Sequence, residues 1–165
     1  MEAVSHNFTP VFDERSRILI LGTFPSVKSR ESQFYYGHPQ NRFWKVTAAI
    51  CKSAVPQTIE EKKTMLLAGR IAVWDVIASC RIEGSSDSSI RDVVPNDIAG
   101  LLENTHIQAV FCNGGKAYEL YEKYCEKQQK APKAIKLPST SPANAAWSLE
   151  KLTAAWEAET GRYLQ

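Results

Sequence analysis

The sequence predicts an α/β fold, a three-layer αβα sandwich around a mostly parallel four-stranded sheet, on a chain of 165 residues. Four short apolar runs, at residues 17–22, 71–77, 107–112 and 133–137, have the length and composition of strands buried on both faces. Helical patterns separate these runs, and strands that alternate with helices favour a parallel sheet covered on each face. Because no linker divides the chain, we expect residues 1–165 to form a single domain.

Five helices are expected between and after these strands. Thr58, followed three residues later by Glu61, forms a capping-box pattern, and Gly69 marks the end of the same helix. The serine-rich stretch at residues 84–89 is too polar for a regular element and is expected to be a surface loop. The expected helices cover residues 41–51, 58–69, 96–102, 115–129 and 144–163.

Charge and hydropathy exclude several classes of protein. The net charge of +2 is compatible with DNA binding without arguing for it, since dedicated non-specific binders are more basic. The first 17 residues contain no continuous apolar run of the kind found in a signal peptide. No apolar stretch approaches the length of about 20 residues that a membrane span needs. We therefore expect a soluble, intracellular (cytoplasmic) protein with no membrane contact.

Four cysteines raise the question of a metal site or disulfides. Cys51, Cys80, Cys112 and Cys125 form no CxxC pair, whereas zinc and iron–sulfur sites usually take two ligands from one short loop. Three of the four lie in or beside apolar segments, where cysteine behaves as a small hydrophobic residue. We expect buried thiols, no metal and no cofactor.

The ends of the predicted strands indicate where a ligand would bind. In an open α/β sheet, ligands occupy the crevice outside the carboxyl ends of the strands. Four segments fall there: the loop after Gly22, the strand end near Asp75, the segment beginning at Asn113, and residues 138–144. We expect all four to converge on one crevice.

Aromatic residues are concentrated at residues 34–44, beside amide side chains. This combination suits a pocket for a flipped base, because aromatic faces stack on the base and amides read its hydrogen-bonding edge. The alternative is a hydrophobic contact between a loop and a helix, which is favoured for Phe43 and Trp44. Tyr35 and Tyr36 are expected to face a ligand.

The segments GTFPS at residues 22–26 and HPQNRFW at residues 38–44 resemble the first motif of the mismatch-specific branch of the uracil-DNA glycosylase superfamily. In that branch an asparagine that positions the hydrolytic water stands where this chain has Phe24. The departure is similar to the pattern of the hypoxanthine-DNA glycosylases (DNA-deoxyinosine glycosylases). That resemblance implies a uracil-DNA glycosylase-like fold with Asn41 as a catalytic residue, holding water through its side-chain oxygen, and Asn113 as a second one.

The same resemblance implies a set of residues around the base. Tyr36 would stack on it, and the groups at Thr23 and Phe24 would line its edge. Asp75 stands where relatives have a base-reading amide, and its carboxylate would accept a hydrogen bond from N1–H of keto hypoxanthine. A loop or helix-capping aspartate is the alternative for Asp75.

The segment LPSTSPANA at residues 137–145 resembles the last superfamily motif, whose loop enters the DNA duplex. Ser141 followed by Pro142 also suits a helix N-cap and first helical position, where exposed amides attract phosphate. An ordinary helix start explains this pair equally well. The expected DNA-contacting residues are Ser139, Ser141, Pro142, Ala143 and Asn144.

These features favour a monofunctional DNA repair glycosylase that flips and hydrolytically excises a deaminated base, hypoxanthine above all. Its expected partner is double-stranded or single-stranded DNA containing such a base, bound by a monomer. A uracil or mismatch-specific glycosylase is the first alternative, against which Phe24 argues. A non-catalytic nucleotide- or DNA-binding module is the second, although Gly114 and Gly115 lack the spacing of a phosphate-binding loop.

Overall fold

The computed structural model describes residues 2–5 and 8–164 of the chain. This part contains seven strands and six α-helices. A 3-10 turn (Asp87–Ser89) precedes the fifth strand, and a π-helical turn (Tyr121–Glu126) extends the fifth helix. The strands are β1 (Glu2–Ser5), β2 (Ile18–Gly22), β3 (Ile71–Asp75), β4 (Ile77–Ile82), β5 (Arg91–Pro95), β6 (Ala109–Asn113) and β7 (Ile135–Leu137). The helices are α1 (Val27–Ser32), α2 (Phe43–Cys51), α3 (Ile59–Ala68), α4 (Ile98–Glu103), α5 (Gly115–Leu120) and α6 (Leu149–Leu164).

The central sheet has the strand order β3-β2-β6-β7, and all of its neighbouring strands are parallel. This confirms the predicted α/β class and the four-stranded sheet. Gly22, the last residue of β2, pairs with Asp75 at the end of β3. Asn113, the last residue of β6, pairs with Leu137 at the end of β7. The carboxyl ends of all four strands therefore meet at one edge.

Helices cover both faces of this sheet, as the aliphatic runs predicted. Ile18 and Ile20 of β2 belong to a core that includes residues of α2, α3 and α6. The alternate residues Leu19 and Leu21 face a second core formed with α4, α5 and the π-helical turn. Burying both sets of side chains is the reason that β2 shows no polar alternation.

A second, antiparallel sheet, with the order β1-β4-β5, was not predicted. The run at residues 71–77 was expected to be one strand, but it divides at Val76 into β3 and β4. There the amide of Val76 donates to the carbonyl of Gly22 (2.9 Å), and that of Ile77 donates to Thr23 (3.2 Å). The chain then leaves the central sheet and joins the second one. Register shifts in the pairing of β4 with β5 break the alternation that identifies a strand in a sequence.

The predicted helices are present, with different boundaries at several ends. Thr58 caps α3, and its hydroxyl oxygen accepts a hydrogen bond from the amide of Glu61 (3.0 Å). The helix expected from residue 144 begins only at Leu149, and the alternative explanation of Ser141 and Pro142, an ordinary helix start, was wrong. In the segment before Leu149, the carbonyls of Ser141 and Asn144 accept hydrogen bonds from the side chain of Arg42. None of the helices in residues 2–5 and 8–164 is both long and apolar enough to cross a membrane.

Candidate active site

A cleft of about 290 Å³ opens at the carboxyl edge of the parallel sheet. The ends of β2, β3 and β6 form its floor, and the segments following β2 and β7 form walls. Two of the residues expected to contact DNA, Ala143 and Asn144, lie instead in an adjoining groove, which shares Ser139 and Ser141 with the cleft. The other residues that the sequence singled out all line the cleft: Thr23, Phe24, Tyr36, Asn41, Asp75, Asn113, Ser139, Ser141 and Pro142.

Two amide side chains in the cleft are joined through Thr140, whose side chain is buried. The Thr140 hydroxyl donates to Oδ1 of Asn41 (2.8 Å) and accepts from Nδ2 of Asn113 (2.9 Å). The backbone amide of Thr140 donates to Oδ1 of Asn113 (3.0 Å). Residues from three distant parts of the chain thus form one hydrogen-bonded unit.

Asn41 is held at the start of α2. Its Oδ1 accepts a second hydrogen bond, from the amide of Phe43 (2.9 Å). This oxygen is the atom that was expected to hold the hydrolytic water. Since both lone pairs of the oxygen already have donors within the protein, Nδ2 is the atom of Asn41 left to contact a ligand.

One wall of the cleft is aromatic. The Tyr36 ring stacks on Phe43, with centroids 3.9 Å apart and planes inclined by 14°, so only the opposite face of Tyr36 is available to a base. Tyr36 has a φ of 51°, in the left-handed region that bulky residues rarely adopt. Its carbonyl accepts a hydrogen bond from the indole of Trp44 (3.1 Å). Stacking and this bond support the strained backbone.

The packing of the neighbouring aromatic residues agrees in part with the sequence argument. Phe43 and Trp44 are buried and pack in the core, as predicted. Tyr35, which was expected to face a ligand, lies in the lining of the cleft but is almost fully buried, and its hydroxyl donates to the carbonyl of Thr9 (2.9 Å). Its ring lies edge-on to those of Phe8 and Phe34, which accounts for the difference.

Asp75 ends β3 and is 3% exposed, at the base of the cleft. The Tyr36 hydroxyl is buried nearby and makes no hydrogen bond of good geometry with the described residues, although the Asn113 side chain is close. Burial raises the pKa of Tyr36 far above its ordinary value, and the Asp75 carboxylate adds to the rise. Tyr36 therefore presents a neutral hydroxyl at physiological pH.

Two residues of the polar loop at residues 84–89, Ser85 and Asp87, also line the cleft. The loop was predicted as a surface loop, and its contribution to the cleft was missed. Arg30 donates to the carbonyl of Gly84 (2.7 Å), and the amide of Val27 donates to the hydroxyl of Ser85 (2.9 Å). The Arg30 guanidinium also lies 5.6 Å from the centroid of the Phe24 ring. Helix α1 therefore connects this loop to Phe24.

Arg42 organises the segment that carries Thr140, and the sequence argument missed this role. Its Nη2 donates to the carbonyls of Ser141 (3.0 Å) and Asn144 (3.1 Å), and its Nη1 donates to that of Trp147. Its backbone amide donates to the carbonyl of Thr140 (3.1 Å). The carbonyls of Ser141 and Asn144 also accept from the backbone amides three residues later (3.0 and 3.2 Å), so the segment is a series of turns held by one guanidinium. No side-chain motif marks such backbone acceptors, so these contacts could not be predicted from the residue pattern.

The described residues contain no group of three or more His, Cys, Asp or Glu side chains that could hold a metal ion. The cysteines are unpaired thiols, and Cys80, Cys112 and Cys125 are buried in the core. The side chains that line the cleft offer amides, hydroxyls, the carboxylates of Asp75 and Asp87, the imidazole of His38 and aromatic faces.

Comparison with known proteins identifies the family. A family model described as the uracil DNA glycosylase superfamily matches residues 9–160. A protein of Methanosarcina acetivorans named hypoxanthine DNA glycosylase is 39% identical over 157 residues, which cover 94% of this chain and 97% of that protein. A protein of Methanosarcina barkeri with the same name is 33% identical over 114 residues, covering 68% of this chain and 72% of that protein.

A solved structure agrees. The solution NMR structure of a Methanosarcina acetivorans protein, provisionally described as a uracil DNA glycosylase, superimposes with a TM-score of 0.80 at 36% identity. The match covers 96% of this chain and 97% of that one. The resemblance to the hypoxanthine-DNA glycosylases that the motifs indicated is thereby confirmed. The chain belongs to the uracil DNA glycosylase superfamily.

Proposed function

We propose that this chain is a monofunctional DNA glycosylase that flips a nucleotide out of DNA and hydrolyses the N-glycosidic bond of hypoxanthine. The observation that carries the proposal is the cleft itself, in which two fixed amides, Asn41 and Asn113, lie with an aromatic face of Tyr36 and the carboxylate of Asp75. The names of the two Methanosarcina relatives support the choice of base.

The cleft fits a single base. Its volume of about 290 Å³ is at the lower end of the range of about 300–1,000 Å³ for small-molecule sites. The free face of Tyr36 and the ring of Phe24 offer stacking surfaces. Asp75 would accept a hydrogen bond from N1–H of hypoxanthine, because a carboxylate only accepts.

The reaction breaks the bond between C1′ of the deoxyribose and N9 of the base. The electron pair of that bond leaves with the base, which takes up a proton, and the hydroxyl group of water is left on C1′. In the transition state, negative charge therefore develops on the base and positive charge on the sugar. The N–H groups of Asn41 and Asn113 would stabilise the electrons that collect on the base, since fixed donors in a water-poor site are effective there.

The segment after β7 supplies the proposed contacts to the DNA strand. Ser139, Ser141 and Pro142 lie at the cleft, and Ala143 and Asn144 continue along the adjoining groove. Asn144 donates to the carbonyl of Ser139 (3.0 Å), so the segment is ordered without being helical. The proposed contacts to DNA therefore do not involve the N-terminus of a helix.

Residues 1–165 would act as one glycosylase domain inside the cell. We propose a monomer because one chain supplies every group of the cleft. Both single-stranded and double-stranded DNA are proposed substrates. Size-exclusion chromatography with light scattering tests the monomer, and paired single-stranded and duplex oligonucleotides test the preference for strandedness.

The decisive experiment measures base release under single-turnover conditions from oligonucleotides that contain hypoxanthine, uracil, xanthine or a thymine mispair. The wild type is compared with Asn41→Ala and with Glu157→Ala, a control at an exposed position of α6. We expect the wild type and the control to release hypoxanthine fastest, and Asn41→Ala to lose most of the activity.

Each alternative gives a different result. Preferential release of uracil would identify a uracil glycosylase. DNA binding without release of any base would identify a non-catalytic module. Strand cleavage without alkali would show lyase chemistry and contradict the monofunctional assignment.

A further inference from the structure

Thr140 lies between the two candidate catalytic amides and has no role in the mechanism outlined above. Its side chain is fully buried, in the segment after β7, 27 residues from Asn113 and 99 from Asn41. The hydroxyl makes one hydrogen bond to each amide. We propose that Thr140 is a positioning residue, whose hydroxyl fixes which atom of Asn41 and which atom of Asn113 faces the substrate.

Two backbone amides set the direction of every hydrogen bond in this unit. The N–H of Phe43 points to Oδ1 of Asn41 (2.9 Å), and the N–H of Thr140 points to Oδ1 of Asn113 (3.0 Å). A backbone N–H can only donate, so the atoms that face them must be oxygens. Neither amide can turn over without placing a donor against a donor.

The Thr140 hydroxyl completes this arrangement, because it can donate and accept at once. It faces an oxygen on Asn41 (2.8 Å), to which it must donate, and a nitrogen on Asn113 (2.9 Å), from which it must accept. A hydroxyl satisfies both neighbours, and a methyl group satisfies neither. The result is that the Asn41 hydrogens are left for the substrate, and that the second Asn113 hydrogen is left for the substrate or for the neighbouring Tyr36 hydroxyl.

The backbone of Thr140 is held independently of its side chain. Its carbonyl accepts hydrogen bonds from the backbone amide of Arg42 (3.1 Å) and from the Arg42 Nε (3.4 Å). Arg42 follows Asn41 directly in the chain, so the same contact brings the two ends of the unit together. Replacing the hydroxyl should therefore disturb the orientation of the amides rather than the path of the segment.

Thr140→Val and Thr140→Ser form a matched pair for testing this. Valine keeps the shape of threonine and removes the hydroxyl, whereas serine keeps the hydroxyl and removes the methyl group. Single-turnover release of hypoxanthine, measured over a range of enzyme concentrations, gives a limiting rate constant and a half-saturating concentration. Thermal unfolding confirms that each variant is folded at the assay temperature.

We expect the limiting rate constant of Thr140→Val to fall by about 10- to 100-fold, because misplacing an active-site group by about 1 Å costs up to about 100-fold. The half-saturating concentration should stay close to that of the wild type, since the DNA-contacting surface is unchanged. Thr140→Ser should recover most of the rate. In ¹⁵N-labelled protein, the side-chain amide resonances of Asn41 and Asn113 should move in Thr140→Val and stay near their wild-type positions in Thr140→Ser.

The proposal is overturned if Thr140→Val keeps the wild-type rate constant, or if Thr140→Ser loses as much activity as Thr140→Val. It rests on the proposed function, and the two can fail separately. A wild type that releases no hypoxanthine disproves the proposed substrate. The amide resonances then decide the orientation, and unchanged Asn41 and Asn113 resonances in Thr140→Val overturn it.

Discussion

Gly22 makes room for Asp75: a β-carbon on Gly22 would lie 2.4 Å from Oδ1 of Asp75. It would also lie 2.9 Å from the hydroxyl of Tyr36. The two residues at the base of the cleft therefore come together over a position with no side chain. The glycine that closes the first apolar run of the sequence is required by this approach.

Gly22→Ala should reduce both stability and activity, because Asp75 and Tyr36 must move to admit the methyl group. Inserting a methyl group into a packed site costs about 1–3 kcal/mol. Urea unfolding measures the loss, and single-turnover kinetics measures the accompanying fall in rate. The matched control is Gly161→Ala in α6, where an added β-carbon meets nothing within 4 Å. That control should be stabilised by up to about 1 kcal/mol, and an equal effect of both substitutions would contradict the argument.

Arg42→Lys should loosen the segment after β7. An ammonium group cannot reach the carbonyls of Ser141, Asn144 and Trp147 together, and each lost hydrogen bond to a charged group costs about 1.5–3 kcal/mol. Hydrogen exchange followed by mass spectrometry should show faster exchange in residues 140–147. Arg162→Lys, on an exposed position of α6, is the control and should leave exchange unchanged. Unaltered protection of residues 140–147 in Arg42→Lys would contradict the role given to the guanidinium.

Tyr36→Phe should change how stability depends on alkaline pH. The pKa of Tyr36 is raised in the folded protein, chiefly by burial, so the folded state holds the phenolic proton more tightly than the unfolded chain does. This contribution is fully present below the ordinary tyrosine pKa of about 10 and is lost as the pH rises above it. The free energy of unfolding of the wild type should therefore fall more steeply above about pH 10 than that of Tyr36→Phe. Parallel curves from pH 8 to 11 would exclude this effect.

Phe24→Asn should shift the preference among bases. The substitution removes one stacking surface, and base–aromatic stacking is worth about 1–3 kcal/mol per base. It also restores an amide at the position where the mismatch-specific motif has one. We expect slower hypoxanthine release and a higher ratio of uracil to hypoxanthine release in single-turnover assays. Phe24→Leu separates the two effects, because it removes the ring without adding an amide. An unchanged ratio in Phe24→Asn would show that Phe24 does not select the base.

The sequence predicted the parts of the fold that depend on local composition. The aliphatic runs of β2, β3 and β6 carry their own signal, since a strand buried on both faces must be apolar throughout. The position of the cleft then followed from where those strands end. Because these strand ends meet at one edge, the sequence alone predicted that Asn41, Asp75 and Asn113 lie together.

The parts that were missed depend on backbone groups from distant segments. Arg42 binds backbone carbonyls, which every residue type has. Neither this contact nor the late start of α6 could therefore be predicted from the sequence. Thr140 was passed over because a threonine between two serines resembles an ordinary loop residue. The antiparallel sheet was missed because the shifts in register between β4 and β5 remove the two-residue period.

The loop at residues 84–89, which α1 ties to the cleft, joins two strands of the antiparallel sheet. The two amides, Asn41 and Asn113, belong to the parallel sheet and to the segments that follow its strands. The two sides of the cleft thus come from different sheets, and neither Asn41 nor Asn113 has a hydrogen bond to the loop among the described residues. We expect a longer or shorter hairpin to change the space available to a base in the cleft while leaving Asn41 and Asn113 in place. Such a change would alter which bases the chain accepts without removing the groups that break the N-glycosidic bond.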